Sequence, residues 1–572
     1  MFIPITKKEI EKLGWHQLDI IFITGDAYID SANIGVALLG KYLIKKGYKV
    51  ALIPQPDISN ESDIKRFGEP RLFWGVTGGS VDSMVANYTA SKKFRKQDDY
   101  TPGEVNNKRP DRAVIKYTNL IRQYYKNTSP IVLGGIEASL RRVTHYDFWS
   151  DKLRKPIIFD AKADYLIYGM AERAIFQLAK ALENGDDPAS IKGLCYISKS
   201  GNKEYIDLPS WSSVNESKKY FVEMYRQFYQ NCDPVNASGL TQKIDTRYWV
   251  QNPPSEYLTE QELSEIYDIE FERAAHPSYH GKIRALDTIQ FSVPTHRGCY
   301  GECNFCAIAV HEGTRVRWRN ETSIAKEVKS MTSHRNWKGN VSDLCGPTAN
   351  MYGYECAHKI RHGKCKNKRC MSPALCNNIQ PDHSRQIRLL EKISAIPGVK
   401  KVFVSSGIRP ELIRRDKKFG EKYFKRLVKH HVSGQLKLAP ESTDERILHL
   451  MGKPGFENFV WFRKKFEKYT KDIRKNQFLT YYFIAAHPGC DDADMKKISH
   501  QVFRQLNIRP EQVQIFTPTP STWSSVMYYT ETDPFTGGKI YVEKNSRAKV
   551  RQKSYLQKKN TNRKTKRFNS KK

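Results

Sequence analysis

No stretch of this sequence approaches the ~18 consecutive apolar residues of a membrane-spanning helix, so a helical membrane protein and a membrane partner of that kind are excluded. The opening Met-Phe-Ile-Pro-Ile-Thr-Lys-Lys lacks the apolar core and small-residue cleavage site of a secretory signal, and a cytoplasmic location is expected. No internal repeat is evident. Acid is scarce: 61 Asp and Glu stand against 95 Lys and Arg in 572 residues, a net charge of +34. The final 29 residues, 544–572, hold 13 Lys/Arg and no acid, and taking those from +34 leaves +21 on the rest. A like-charged block with few apolar residues repels itself, so 544–572 is expected as a basic disordered tail. The remaining excess suits a polyanion such as RNA. No RNA-recognition consensus accompanies it, so a solubilising tail is the plainer alternative. With 39% hydrophobic and 27% charged residues the body has the composition of a globular protein with a large core.

Cysteine is sparse, with eleven in the chain, but three fall within eight residues: Cys299-Tyr-Gly-Glu-Cys303-Asn-Phe-Cys306. In a reducing compartment such thiols point to metal or catalysis rather than disulfides. The extended run 289–295 precedes them, which places the C-x3-C-x2-C set on a loop leaving a β-strand. Three thiolates for a four-iron cube leave one iron open, which a catalytic centre needs and an electron carrier does not. Phe305, before the third thiol, is a candidate to lie against an adenine. The spacing resembles the signature of radical S-adenosylmethionine (SAM) enzymes, in which the open iron chelates the methionine end of SAM. A zinc site with a distant fourth ligand is the alternative. Zinc ligands more often come as C-x2-C pairs.

The fold expected is α/β in two parts. Apolar runs at 18–24, 50–54, 72–77, 130–135 and 164–169 alternate with helical periodicity such as 34–47, which predicts a parallel, doubly wound sheet over residues 1–200. Gly25, Gly78, Gly79, Gly134 and Gly135 fall at the strand ends, where a ligand crevice would lie. This layout resembles the cobalamin-binding domain that often precedes a radical SAM core. It departs from the Asp-x-His-x-x-Gly pattern of that domain, because Tyr28 replaces the His and Ser31 the Gly after Asp26. Cobalamin is therefore not expected. Residues 201–284 read as a polar linker. From 285 to 543 a second series of strands (399–406, 435–440, 478–486, 512–518) predicts a partial (β/α) barrel whose chemistry sits at the strand C-termini.

Six strings resemble one group, the YgiQ-type radical SAM proteins: GGIEASLRRVTHYDFWSDK (134–152), PTHRGCYGECNFCAI (294–308), GPTANMYG (346–353), SSGIRPE (405–411), LKLAPEST (436–443) and AAHPGC (485–490). The resemblance as a whole runs from about residue 15 to about residue 555, nearly the whole chain. The resemblance implies a 4Fe–4S cluster on Cys299, Cys303 and Cys306, SAM as co-substrate, and an electron donor such as flavodoxin or ferredoxin. By the same resemblance Gly346 and Pro347 receive the SAM amino group on backbone, and Ser406, Glu441 and Ser442 are candidates for hydrogen bonds to its ribose or carboxylate. Glu441 has an equal structural reading as a carboxylate at a helix N-terminus. Cys345 stands where the family pattern has Gly, so a thiol would crowd the SAM end or lie near a radical.

A second cysteine set, Cys356, Cys365, Cys370 and Cys376, lies in an insertion (345–376) dense in Lys and Arg. Four thiols suffice for a second Fe–S cluster or a zinc site. Neighbouring charge would favour thiolates; reduced free thiols are the alternative. The function expected is a radical SAM enzyme that cleaves SAM reductively to a 5′-deoxyadenosyl radical, its substrate unknown. An RNA-modifying enzyme is one alternative, since 516–520 (FTPTP) resembles barrel strands of tRNA methylthiotransferases. A non-catalytic Fe–S or zinc protein that binds nucleic acid is the other.

Overall fold

A computed structural model describes residues 1–557 apart from Arg509. The apolar runs become strands because both their faces are covered. In β1 (Ile20–Thr24), Ile20 and Phe22 enter one core while Ile21 and Ile23 enter another. β2 (Val50–Pro54), β3 (Phe73–Thr77), β4 (Ile131–Gly134) and β5 (Tyr165–Ile167) join it, all parallel, in the order β2-β1-β3-β4-β5. Helices α1 (Gly35–Lys45) and α3 (Glu172–Asn184) cover one face, and α2 (Ala113–Tyr124) covers the other. This is a doubly wound sheet whose strand order reverses between β1 and β3, where a crevice opens at the carboxyl ends.

The sheet does not end at residue 200. Beyond β5 run β6 (Leu194–Ser198), then β9 (Arg247–Gln251), β8 (Leu240–Ile244) and β7 (Ile206–Leu208), making nine strands in all. α4 (Lys218–Gln230) packs Phe221, Met224, Tyr225 and Phe228 into the same core. Residues 201–284, expected as a linker, are thus largely sheet and helix. Two of their glutamines are buried and bonded to distant segments: Gln242 donates to Pro209 O (2.9 Å) and accepts from Thr144 (2.8 Å), and Gln251 accepts from Arg142 (2.9 Å).

The partial barrel follows. β10 (Ser292–Pro294) runs parallel to β11 (Asp343–Cys345), and Asn340–Val341, just before β11, pairs in parallel with β12 (Lys401–Val402). A bridge from Ile408 to Leu438 carries the wall on to β13 (Gln435–Glu441), β14 (Phe478–Ala485) and β15 (Gln512–Ile515), again parallel. α5 (Ile308–Glu312) follows the cysteine loop, α6 (Ala357–His362) lies in the insertion, α7 (Glu445–Met451) follows β13, and α8 (Asp492–Leu506) follows β14. The two parts share a core, because Phe516, Trp523, Val526 and Tyr528 from beyond β15 sit among the side chains of the N-terminal sheet.

The expected tail is helical at its start. α9 (Ser546–Leu556) is capped by Asn545, packs on α8 and β15, and buries Leu556 in the barrel core. Lys549 is buried too, donating to Tyr528 Oη at 2.8 Å. Its buried face is mixed (Ala548, Lys549, Gln552 and Leu556), and Arg551 and Tyr555 add hydrogen bonds to Asp492. Residues 558–572 of the expected tail lie outside the described residues. Among the described residues no helix is long and apolar enough to cross a membrane.

Candidate functional site

The cysteine loop begins where a short antiparallel pair, His296–Arg297 with Arg317–Trp318, turns the chain after β10. Gly298 makes that turn at φ +82, with the Arg315 carbonyl so close that a Cβ would lie 1.9 Å from it. The loop is then pinned along its length. Cys299 N donates to Gly313 O (3.2 Å), Asn304 N to Met451 O (2.8 Å) and Cys306 N to Cys303 O (3.0 Å), while Asn304 O accepts from Ser524 N (2.9 Å).

Each of the three sulfurs meets an N–H. Gly301 N donates to Cys299 Sγ at 3.3 Å, the Arg409 guanidinium to Cys303 Sγ at 3.0 Å, and the Ile308 backbone to Cys306. Such donors stabilise thiolates and suit metal-bound sulfur. Burial opposes ionisation of the free thiols, raising Cys299 and pushing Cys306 up to about 12. Among the described residues no three His, Cys, Asp or Glu side chains converge tightly enough to hold one metal ion, this trio included. A cube holds its thiolates further apart than a single ion does. Three thiols with an N–H donor apiece are a donor set that fits a sulfur-ligated cluster.

Arg409 joins two of the sequence strings. Its backbone N–H donates to Asn350 Oδ1 and its carbonyl accepts from Asn350 Nδ2, both at 2.9 Å. Its guanidinium also reaches Glu411 at 3.2 Å. Gly346 lies against the His296 ring, 2.2 Å from where its Cβ would stand, so only Gly fits. His296 bridges from Thr295 Oγ1 (2.8 Å) to the Thr348 carbonyl (2.9 Å), and burial keeps it neutral, at about 4.

The other expected residues divide. Ser406 Oγ donates to Asp343 on β11 at 2.5 Å, tying two segments of the barrel together, and Ser442 Oγ accepts from Asp444 N at 3.2 Å in a local turn, so both hydroxyls are engaged within the protein. Asp444, not Glu441, caps α7, accepting from Arg446 N and Ile447 N. Glu441 ends β13 at φ +68, buried, 3.7 Å from Lys453 and with Oε2 unpartnered among the described residues. Desolvation raises its pKa against the pull of Lys453 and Arg409. It keeps its candidacy by the site, and the capping role passes to Asp444. Phe305 meets His487 edge-on, ring centroids 6.4 Å apart, between the barrel and sheet cores. The Cys345 thiol lies outside the described residues.

Glu302, inside the loop at φ +46, was not anticipated. It is buried and gripped from the insertion, with Lys359 Nζ 3.3 Å from Oε1 and Lys364 Nζ 3.2 Å from Oε2. Arg369 donates to its carbonyl (3.0 Å) and Tyr229 Oη to Oε2 (3.1 Å). The lysines hold it far below the usual carboxylate range, at about 2. They were expected to favour thiolates in the second cysteine set. Burial dominates there instead and raises Cys365 and Cys370, the latter to about 11. Nor do those cysteines lie outside an apolar setting: Cys356, Cys370 and Cys376 share a core cluster with Cys299 and Tyr300. Cys365 lies within electrostatic reach of Cys356 and Cys376, and Cys370 within reach of Cys356.

A cavity of about 460 Å³ separates the sheet crevice from the cysteine loop. Asp26, Gly79 and Gly135 line one wall, and His311, Gly346 and Pro347 line the other. The His311 Nδ1 is buried and unpartnered among the described residues, and its ring is kept neutral by desolvation, at about 4. Gly79, Gly134 and Gly135 of the expected glycine cluster thus face one space with Gly346 and Pro347, while Gly25 and Gly78 are not part of its lining.

Residues 2–292 match the family profile described as Radical SAM N-terminal, and 511–564 match a domain of unknown function, DUF3362. A UPF0313 protein of Fusobacterium nucleatum is 53% identical over 566 residues, covering 98% of this chain and all of that one. The chain belongs to the UPF0313 family of radical SAM proteins. A UPF0313 relative from Thermotoga neapolitana is 46% identical over 558 residues, 97% of each chain.

Among solved structures this UPF0313 chain is similar to TsrM of Kitasatospora setae, a radical SAM methyltransferase with tryptophan and a SAM analogue bound. The TM-score is 0.50 at 13% identity, covering 88% of this chain and 75% of that one. A second TsrM structure (TM-score 0.49, 14% identity, 90% and 78% covered) contains cobalamin and a [4Fe-4S] cluster. The expectation against cobalamin is overturned by these neighbours. It rested on the missing His, and Tyr28 indeed turns inward, its Oη donating to Asp30 at 2.9 Å. Losing one axial ligand does not close the crevice, which the strand order builds regardless.

Proposed function

We propose that this protein is an S-adenosylmethionine-cleaving enzyme built on one 4Fe–4S cluster held by Cys299, Cys303 and Cys306. The observation that carries the proposal is the set of three N–H donors aimed at the three sulfurs. With a cluster held by Cys299, Cys303 and Cys306, SAM would undergo one-electron reductive cleavage of its S–C5′ bond, methionine leaving and a 5′-deoxyadenosyl radical remaining to take a hydrogen atom from substrate. The chain's own part is to hold the loop rigid, keep Arg409 charged beside Cys303, and keep water out. Gly346 and Pro347 offer close backbone approach for the methionine end of SAM, and Glu441 is a buried carboxyl at the barrel's open end. The insertion cysteines are proposed as a second cluster site, favoured by their shared burial with Cys299.

The cavity between sheet and loop favours a second reading, in which the radical chemistry serves methyl transfer through a corrinoid. The chain offers that group space but no imidazole at position 28, so any protein ligand comes from elsewhere.

Anaerobic reconstitution followed by iron and sulfide analysis, EPR and product chromatography tests the proposal. A reduced-cluster signal that changes with SAM, together with 5′-deoxyadenosine release, is expected. An unchanged signal with no deoxyadenosine overturns it. Incubation with hydroxocobalamin and gel filtration tests the second reading by co-elution of the corrinoid absorbance.

A further inference from the structure

Between Glu355 and Asp382 the insertion has no acid and six Lys/Arg. The structure sorts these by depth. Lys359 and Lys364 point inward to Glu302, and Arg369 reaches the Glu302 carbonyl. Arg361, Lys366 and Lys368 face solvent with His358 and His362, and none of those three cations pairs with an acid among the described residues. Amid them Ile360 is 47% exposed. One short segment therefore carries an unneutralised basic surface with an apolar point outside, and inside it a buried clamp on the residue next to Cys303.

Reductive cleavage of SAM consumes one electron per event, and no group in this chain replaces it. The electron must arrive from another molecule that comes close to the cysteine loop. The cavity facing SAM and substrate draws none of its lining from 354–376, so a reductant docked on the insertion leaves that entrance free. We propose that the exposed face of α6 and the loop after it, residues 357–368, is the docking surface of an acidic one-electron donor protein of the flavodoxin class. The inference rests on the 4Fe–4S reading above. In the docked pair the donor is oxidised by one electron and the cluster reduced by one, with no atom exchanged. Complementary charge steers the encounter, and an apolar centre with a charged rim is ordinary interface anatomy. RNA is the rival for a basic surface, but it would have to present its substrate base at the cavity rather than at the insertion.

The test uses the reconstituted full-length protein and its variant Arg361→Glu/Lys366→Glu/Lys368→Glu. Cluster reduction is followed by absorbance with reduced flavodoxin and, separately, with photoreduced deazaflavin, a small reductant that needs no docking surface. Steered association gains on the order of 10 to 10³ in rate, so a loss of at least about tenfold with flavodoxin is expected at low salt. The deazaflavin rate and the iron and sulfide content should stay as in wild type. The wild-type flavodoxin rate should also fall steeply with added salt, which tests the proposal even if the variant folds poorly. An unchanged flavodoxin rate, an equal loss with deazaflavin, or loss of RNA retention alone overturns it. If the wild type loads no iron and sulfide, the cluster reading itself falls first, and metal analysis distinguishes that failure from failure of docking.

Discussion

Glu302→Gln should loosen the cysteine loop without touching a thiol. The carboxylate is fully buried between Lys359 and Lys364, and the variant leaves both ammonium groups facing a neutral amide. Stranding a buried charge in this way costs about 3–5 kcal/mol. The lysines retain some solvation by carbonyls, Lys359 from Thr314 O at 3.0 Å and Lys364 from Tyr229 O at 3.3 Å, which favours the lower end. A loss of about 3 kcal/mol is roughly a 10²-fold rise in local opening. Amide hydrogen exchange of 299–306 and 356–370 reads that opening directly and avoids assuming two-state unfolding of so large a chain. Adding Lys364→Met removes one stranded charge and should restore part of the protection, giving a coupling energy of at least about 1 kcal/mol in the double-mutant cycle. Exchange at the wild-type rate in Glu302→Gln, or simple additivity with Lys364→Met, would refute the clamp.

Three further outcomes are expected. Arg409→Leu should retain iron and sulfide while lowering the cluster's midpoint potential by on the order of tens of millivolts, because a cationic donor to sulfur favours the reduced state; an unmoved potential in a spectroelectrochemical titration would discount the 3.0 Å contact. Asp416, which accepts from the His383 backbone and ring and from Phe419 N, is held at about 2, so the stability it contributes is complete above the ordinary carboxylate range and fades as pH falls through about 2; Asp416→Asn should melt lower than wild type at pH 7 and converge with it in strong acid. Changing Cys299, Cys303 and Cys306 together to Ala should leave residual iron and sulfide that Cys365→Ala/Cys370→Ala removes, and elemental analysis finding nothing bound in the triple variant would reduce the insertion thiols to packing.

The parallel sheet was legible because strands covered on both faces read as near-continuous apolar runs, as β1 and β2 do. The cluster loop was legible because thiol spacing is local. What escaped depended on partners far away in sequence. β8 and β9 carry buried Gln242 and Gln251, whose amide oxygens accept from Thr144 and Arg142 about a hundred residues earlier, so their run reads as polar linker. Glu302 looked like a loop carboxylate and Lys359 like a surface charge, and only folding makes them a pair. Arg409 sat inside a recognised string, yet its backbone is fixed by Asn350 in the turn after β11, about sixty residues earlier. Glu441 read equally as a ligand contact or a carboxylate at the start of α7, and the fold gives the cap to Asp444, the residue directly before that helix.

The side chains after β15 finish the core of a sheet whose first strand starts at residue 20. Trp523 stacks edge-on against Tyr225 and Tyr229, with ring centroids 4.6 and 5.3 Å away. A growing chain therefore emerges from the ribosome with its first sheet assembled but unsealed, and nearly three hundred more residues must be made before the closing tryptophan appears. Throughout that interval the nascent N-terminal half presents an aromatic wound to the cell. Expressing it alone, as a separate cofactor-binding unit, would keep that wound open permanently; carrying the stretch around Trp523 in trans, or grafting it onto the fragment, is the repair the architecture prescribes.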